Sequence, residues 1–160
     1  MSRLENKKEI VSLASRFHED WRAPRKKSDG SYEPRWKKIK KDQEFIKLAE
    51  ESETIKITEN GVEVDIANMS FIELPFDYQE ENLLAAEVVV NLLKDKKVLT
   101  SDEIEQLASI VHDEWLKRND WAKGGELDVA YEELPEEEKA KDRVQITTGM
   151  EIMKIAKRSR

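Results

Sequence analysis

The chain contains no cysteine, which excludes disulfides and thiolate metal sites and fits a reducing compartment. Histidine occurs only twice, at His18 and His112, so a metal site would need ligands of other kinds. The run His18-Glu19-Asp20-Trp21-Arg22 lacks the second histidine of the zinc-protease pattern. The five glycines, at 30, 61, 124, 125 and 149, have no spacing that gives a Walker or dinucleotide-binding loop. No stretch approaches the roughly 20 apolar residues of a membrane span. The longest apolar block, Leu83 to Leu93, is broken by Glu87 and Asn91. The opening MSRLENKKEI lacks the apolar run of a signal peptide. Nothing in context supplies a nucleophile for either histidine. The expectation is a cytoplasmic protein with no membrane partner, no metal, no cofactor and no enzymatic activity.

What is present is charge and periodicity. Of 160 residues, 38% are hydrophobic and 39% charged, and the apolar residues recur at regular steps, so the chain reads as folded. Its length suits one domain over 1–160 and lets roughly 70% of the unfolded chain's surface be buried. The net charge of −7 is unevenly spread. Arg22 to Lys47 holds ten Lys/Arg against four Asp/Glu, whereas Glu126 to Asp142 holds eight acids against two bases. Such runs are either solvated surface or, for the basic one, a place for an anion. Overall acidity argues against extended duplex nucleic acid as a partner, because duplex binding relies on many phosphate contacts.

The chain also repeats itself. Residues 10–21 and 104–115 share Ile, Leu, Ala, Ser, His and Trp at a constant offset of 94, with acids between each His and its Trp. Phe71-Ile72-Glu73-Leu74-Pro75 matches Tyr131-Glu132-Glu133-Leu134-Pro135 at an offset of 60. The division expected is a first repeat over 1–97, with 34 extra residues between its motifs, and a second over 98–160.

Each repeat reads as helix, loop, helix. Ile10, Leu13, Ala14, Phe17 and Trp21, and likewise Ile104, Leu107, Ala108, Val111 and Trp115, trace one helical face. Ser2 with Glu5 and Thr100 with Glu103 have capping-box spacing. Each Leu-Pro pair opens a second helix whose first turn is acidic, complementing the helix dipole. The extra residues alternate apolar and polar over 55–58 and 62–66, with Asn60-Gly61 between them, a hairpin pattern. The fold class expected is mainly α: two pseudo-symmetric helix-loop-helix repeats in a four-helix arrangement, with a small β-hairpin insertion in the first. Helices are predicted near 3–21, 42–51, 76–94, 101–118 and 136–157, and the hairpin at 55–66.

His-acid-x-Trp closing one helix, then aromatic-x-acid-Leu-Pro opening the next, resembles the RyR repeat of ryanodine receptors. His112-Asp113-Glu114-Trp115 through Arg118, Tyr131 through Lys139, and Asp142-Arg143 match it well. The first copy matches at His18–Trp21 and Phe71–Pro75 and departs in the loop Asp29–Lys37. Similar repeats occur in small bacterial and phage proteins. The resemblance implies a tandem module rather than a channel. It also implies that an adenine nucleotide can sit between two repeats, its base held by the tryptophans of the helix motifs, which are Trp21 and Trp115 here.

Read from residue chemistry, those tryptophans are either core or an aromatic clamp, since stacking one base contributes roughly 1–3 kcal/mol. Arg22, Arg25, Arg35 and Lys37 are the candidate phosphate ligands, because they surround the first tryptophan in sequence and guanidinium forks suit phosphate; the bland reading is a solvated basic loop. The two histidines read most simply as helix-face residues hydrogen-bonded locally. The expected function is a non-catalytic module binding a nucleotide-like anion between the repeats. The alternative is a protein-interaction or scaffold domain.

Overall fold

The computed structural model describes residues 6–40, 43–59 and 61–158. These are mainly helical. In chain order they form α1 (Lys7–Arg22), β1 (Trp36–Ile39), α2 (Gln43–Leu48), β2 (Ile55–Thr58), β3 (Gly61–Asp65), α3 (Phe76–Leu93), β4 (Val98–Thr100), α4 (Ser101–Arg118), α5 (Glu136–Met153) and β5 (Ala156–Arg158). They group into two compact units, Met1–Phe17 with Glu81–Arg160, and His18–Glu80. The unit boundaries fall inside α1 and inside α3.

In the first unit, Ile10, Leu13 and Ala14 of α1 are buried, as are Val89, Val90 and Leu93 of α3 and Ile146 and Met150 of α5. Gly149 explains how closely these helices pack. A Cβ at that position would stand 2.6 Å from Val89 Cγ1 and 2.9 Å from Leu93 Cδ1, with Leu13 Cδ2 at 3.6 Å. Only a residue without a side chain allows α5 that approach.

The capping box expected before α4 is formed. Thr100 N–H donates to Glu103 Oε1 at 2.9 Å and Glu103 N–H donates to Thr100 Oγ1 at 3.2 Å. The Thr100 backbone N–H and hydroxyl, bonding the Glu103 carboxyl, hold it below its ordinary pKa. The corresponding Ser2–Glu5 pair lies outside the described residues. Helix α5 ends at Met153 rather than continuing to 157. Lys154 adopts a left-handed conformation (φ 58°, ψ 47°), and the chain turns into β5, which pairs in parallel with β4.

The second unit holds a three-stranded antiparallel sheet in the order β1-β3-β2. The strands expected near 55–58 and 62–66 pair as Ile55 with Val64 and Ile57 with Val62. Gly61 takes a φ of 143°, a backbone few other residues adopt; Asn60 lies outside the described residues. Strand β1, read from the sequence as part of a basic loop, is a finding of the structure. Lys38 of β1 and Lys56 of β2 flank Glu63 of the central strand, an opposite-charge ladder that favours this register. Lys56 Nζ also sits 4.1 Å from the centre of the Trp36 ring.

Two short 3₁₀ turns, Phe71–Glu73 and Tyr131–Glu133, precede α3 and α5. In both, the residue after the turn, Leu74 or Leu134, is buried and extended (ψ 148° and 149°). The following prolines act as N-caps: Pro75 and Pro135 carbonyls accept the first backbone bonds of their helices. Proline suits this place because no intrahelical partner exists for the N–H it lacks.

Candidate functional site

The helical faces of α1 and α4 end with an inversion of the expected burial. Both histidines are buried, at 4% and 3% exposure, whereas Trp21 is 39% exposed and Trp115 half-buried. An imidazole can be buried there because its ring N–H meets a backbone acceptor. His18 Nε2 lies 2.6 Å from the Met69 carbonyl oxygen, and His112 Nε2 lies 2.9 Å from that of Val129. A carbonyl only accepts, so Nε2 carries the proton in each ring. Met69 and Val129 each stand two residues before the aromatic that opens the 3₁₀ turn. Each imidazole thus ties its helix end to the Leu-Pro segment.

The indoles lie on these buried rings. His18 and Trp21 stack at 5.8 Å between centroids and 18° between planes; His112 and Trp115 stack at 6.3 Å and 14°. Burial, with the Arg22 charge adding to it, lowers the His18 pKa, against the pull of the Met69 carbonyl and Glu19. His18 is therefore a neutral donor at pH 7.

The surroundings of the two tryptophans differ. In the second unit the Arg25 guanidinium stands 4.5 Å over the Trp21 ring. Arg22 is committed to intramolecular partners. It makes two bonds to Glu19 and one each to the carbonyls of Ala67 and Met69, and lies 4.4 Å over Tyr32. Tyr32 is held in turn by Asn68, which accepts from its N–H and donates to its carbonyl at 2.9 Å each. Buried Asp65 organises this corner by accepting from the backbone N–H of Arg35 and Ala67 and from the Asn68 side chain. Arg35 is exposed just ahead of β1, and Lys37 lies in β1 opposite Val64. The structure therefore brings Trp21, Arg22 and Arg25 together at one helix end. Arg35 and Lys37 belong to the sheet side of the same unit, and Trp115 belongs to the other unit.

Around Trp115 the first unit forms a cleft of about 220 Å³, bounded by His112, Trp115, Leu127, Leu134, Lys141 and Asp142. Glu138 and Gln145 complete the α5 side. Trp121, 74% exposed, meets Trp115 edge-on at 5.5 Å. Of the nearby cations, Arg118 bonds both Glu81 carboxylate oxygens and Lys123 pairs with Asp120 at 3.4 Å. Lys141 pairs with Glu138 at 3.0 Å.

Asp142, which the sequence marks only as part of the family motif, lines this cleft. Its side chain is 13% exposed, and the ring nitrogen facing it is His112 Nδ1, at 3.8 Å, too far for a hydrogen bond. Desolvation pushes its carboxyl up to about 6, with His112 opposing the shift. The periodicity held the signal: Asp142 stands one helical turn before buried Ile146, where an acid is out of place unless it has a task. Among the described residues no cluster of three or more His, Asp and Glu could hold a metal ion, and no helix is long and apolar enough to cross a membrane.

No protein-family model, curated protein or solved structure matches the chain.

Proposed function

We propose that this chain is a non-catalytic tandem RyR-like module, cytoplasmic in location, that binds a nucleotide or similar small anion through its tryptophan motifs. The observation that carries the reading is the agreement of the two motifs contact by contact. In each, a buried histidine bonds the carbonyl two residues before the Leu-Pro turn's aromatic, and an indole stacks on that histidine while staying partly in solvent. A partly exposed indole keeps an aromatic face open to a flat ligand, as a stacking platform requires. The two motifs then offer different neighbours to a ligand. Trp21 has Arg25 beside it, and Trp115 has a cleft with Lys141 on its rim. Both imidazoles give their Nε2 proton to a backbone carbonyl, which favours a positioning role over proton transfer at that nitrogen.

One observation favours a second reading, a protein-interaction module. Ile72 and Phe76 flank the first Leu-Pro corner and are 82% and 73% exposed, an apolar pair where the second motif has Glu132 and Glu136. The deciding experiment is a thermal-shift and indole-fluorescence screen with nucleotides and phosphates. A ligand at 100 times its dissociation constant should stabilise the unit that binds it by roughly 2.7 kcal/mol. If no nucleotide perturbs the folded protein at millimolar concentration, the ligand reading is wrong and the interaction reading replaces it.

A further inference from the structure

The cleft beside Trp115 combines three features. It has an aromatic wall in Trp115, apolar sides in Leu127 and Leu134, and in Asp142 a carboxylate that is largely but not fully shielded from water, its side chain 13% exposed. Among the described residues, no group donates a hydrogen bond to that carboxylate. A carboxylate has about four acceptor positions, and in a partly desolvated cleft the surrounding water satisfies them less well than in the open. Arg143, its neighbour in sequence, is engaged elsewhere, with Glu105 at 2.6 Å and with Glu136. Lys141 is taken by Glu138. The Asp142 oxygens thus face the cleft without a protein donor, open to water or to a ligand that displaces it.

The size of the cleft limits what that can be. Pockets for drug-sized ligands hold roughly 300–1,000 Å³, and this one holds about 220 Å³. It suits one planar ring system, with any sugar and phosphate left outside.

We infer that the Trp115 cleft selects a guanine-type base, stacked on the indole and held by Asp142 through two parallel N–H donors. A carboxylate is matched geometrically by two N–H groups side by side. Guanine presents such a pair at N1 and its 2-amino group. Hypoxanthine lacks the amino group. Adenine sets a lone pair beside its single amino group, which an anionic carboxylate repels. The first motif has Asn82 at the position 60 residues before Asp142, so the selectivity belongs to the second motif alone. This inference rests on the ligand-binding reading above and specifies the chemistry of one of its two tryptophan motifs.

The test is a titration of the full chain with guanosine, inosine and adenosine, followed by indole fluorescence and thermal shift. Guanosine is expected to bind about tenfold or more tightly than either of the others, the scale of one hydrogen bond to a charged group. Asp142→Asn, which removes a desolvated charge and should fold at least as well, should bring the three nucleosides to within about twofold of one another. A second measurement needs no variant. The groups facing Asp142 are His112 from α4 and Glu138 and Lys141 from α5, and the guanosine preference of the wild type should fade as pH falls from 7 to 5 and Asp142 takes up its proton. Equal binding of all three nucleosides overturns the guanine inference while leaving the ligand reading intact. A guanosine preference that persists in Asp142→Asn, or at pH 5, overturns the role of Asp142. Failure of every nucleoside and nucleotide to bind overturns both.

Discussion

Arg22 donates through Nη1 to the carbonyl oxygen of Met69 at 3.2 Å, the same oxygen that His18 engages at 2.6 Å. One backbone acceptor thus joins the end of α1 to the segment leading into the first Leu-Pro turn, and two side chains four residues apart on the helix converge on it. Arg22 also satisfies the carbonyl of Ala67, which has no exposed surface. Replacing Arg22 by Ala should leave that acceptor unpaired and remove the packing on Tyr32, costing about 2–3 kcal/mol. Arg25→Ala removes only a cation over a partly exposed indole and should cost about 0.5–1 kcal/mol. Urea unfolding of the two variants decides the matter; equal costs would show that the Arg22 network does not hold this corner together.

The contrast bears on how a binding site should be probed. The basic run from Arg22 to Lys47 reads in sequence as a single cationic patch, but the structure divides it by task. Arg22 is internal, Arg25 covers an indole, and Lys38 stands opposite Glu63 across the sheet. Composition could not separate these, because the partners of Arg22 and Lys38 are distant in sequence and the Arg25–Trp21 contact depends on how the chain turns at the end of α1. The same reasoning explains which elements were legible. Helices α3 and α4 begin at Phe76 and Ser101, where a Leu-Pro pair and a Thr-x-x-Glu box announce them locally. Strand β1 has no such announcement, since Trp36-Lys37-Lys38-Ile39 becomes a strand only through pairing with β3. The two histidines looked like locally bonded helix residues; their acceptors are 51 and 17 residues away. Asp142 was visible only as part of a family motif, and its isolation from donors is a property of the packed cleft.

That isolation makes a pH-dependent stability term. The Asp142 carboxyl is raised to about 6 in the folded chain, against about 4 for an unfolded aspartate. Between those values the folded chain keeps a proton that the unfolded chain releases, so this residue's contribution to stability falls as pH rises from about 4 to about 6 and stays low above that. Asp142→Asn cannot ionise and escapes the loss. Its advantage over the wild type should be near zero at pH 4 and reach about 1–2 kcal/mol at pH 7. That is less than the raised pKa would imply in full, because the cleft is open to water on one side. Thermal unfolding at pH 4, 5, 6 and 7 measures it, and an advantage that does not change with pH would contradict the desolvated carboxylate.

The end of α5 offers a prediction of the opposite kind, a gain. Lys154 is the one described non-glycine residue with positive φ. It occupies the left-handed position that closes a helix: Ile155 N–H reaches back to the Met150 carbonyl at 2.9 Å and Lys154 N–H to that of Glu151 at 3.3 Å. Ile155 and Met150, the positions between which an apolar contact usually accompanies this ending, are both buried. Glycine normally takes such a position, because any Cβ there crowds the backbone at a cost of roughly 1–2 kcal/mol. The sequence offered lysine instead, so nothing marked the stop, and the periodic reading ran on to residue 157. Lys154→Gly relieves the crowding while adding some freedom to the unfolded chain, for a net gain of about 0.5–1 kcal/mol, or about 2–4 °C per kcal/mol at this chain length. Lys154→Val, β-branched and worse suited to positive φ, should lower the midpoint instead. The side chain is exposed, so a change in packing would not mimic either effect. The readout is the thermal midpoint of each variant together with amide exchange at Ala156, whose N–H donates to Lys97 at 3.0 Å only if the chain turns here. A glycine variant no more stable than the wild type, with Ala156 exchanging as fast or faster, would mean that α5 does not end in this turn.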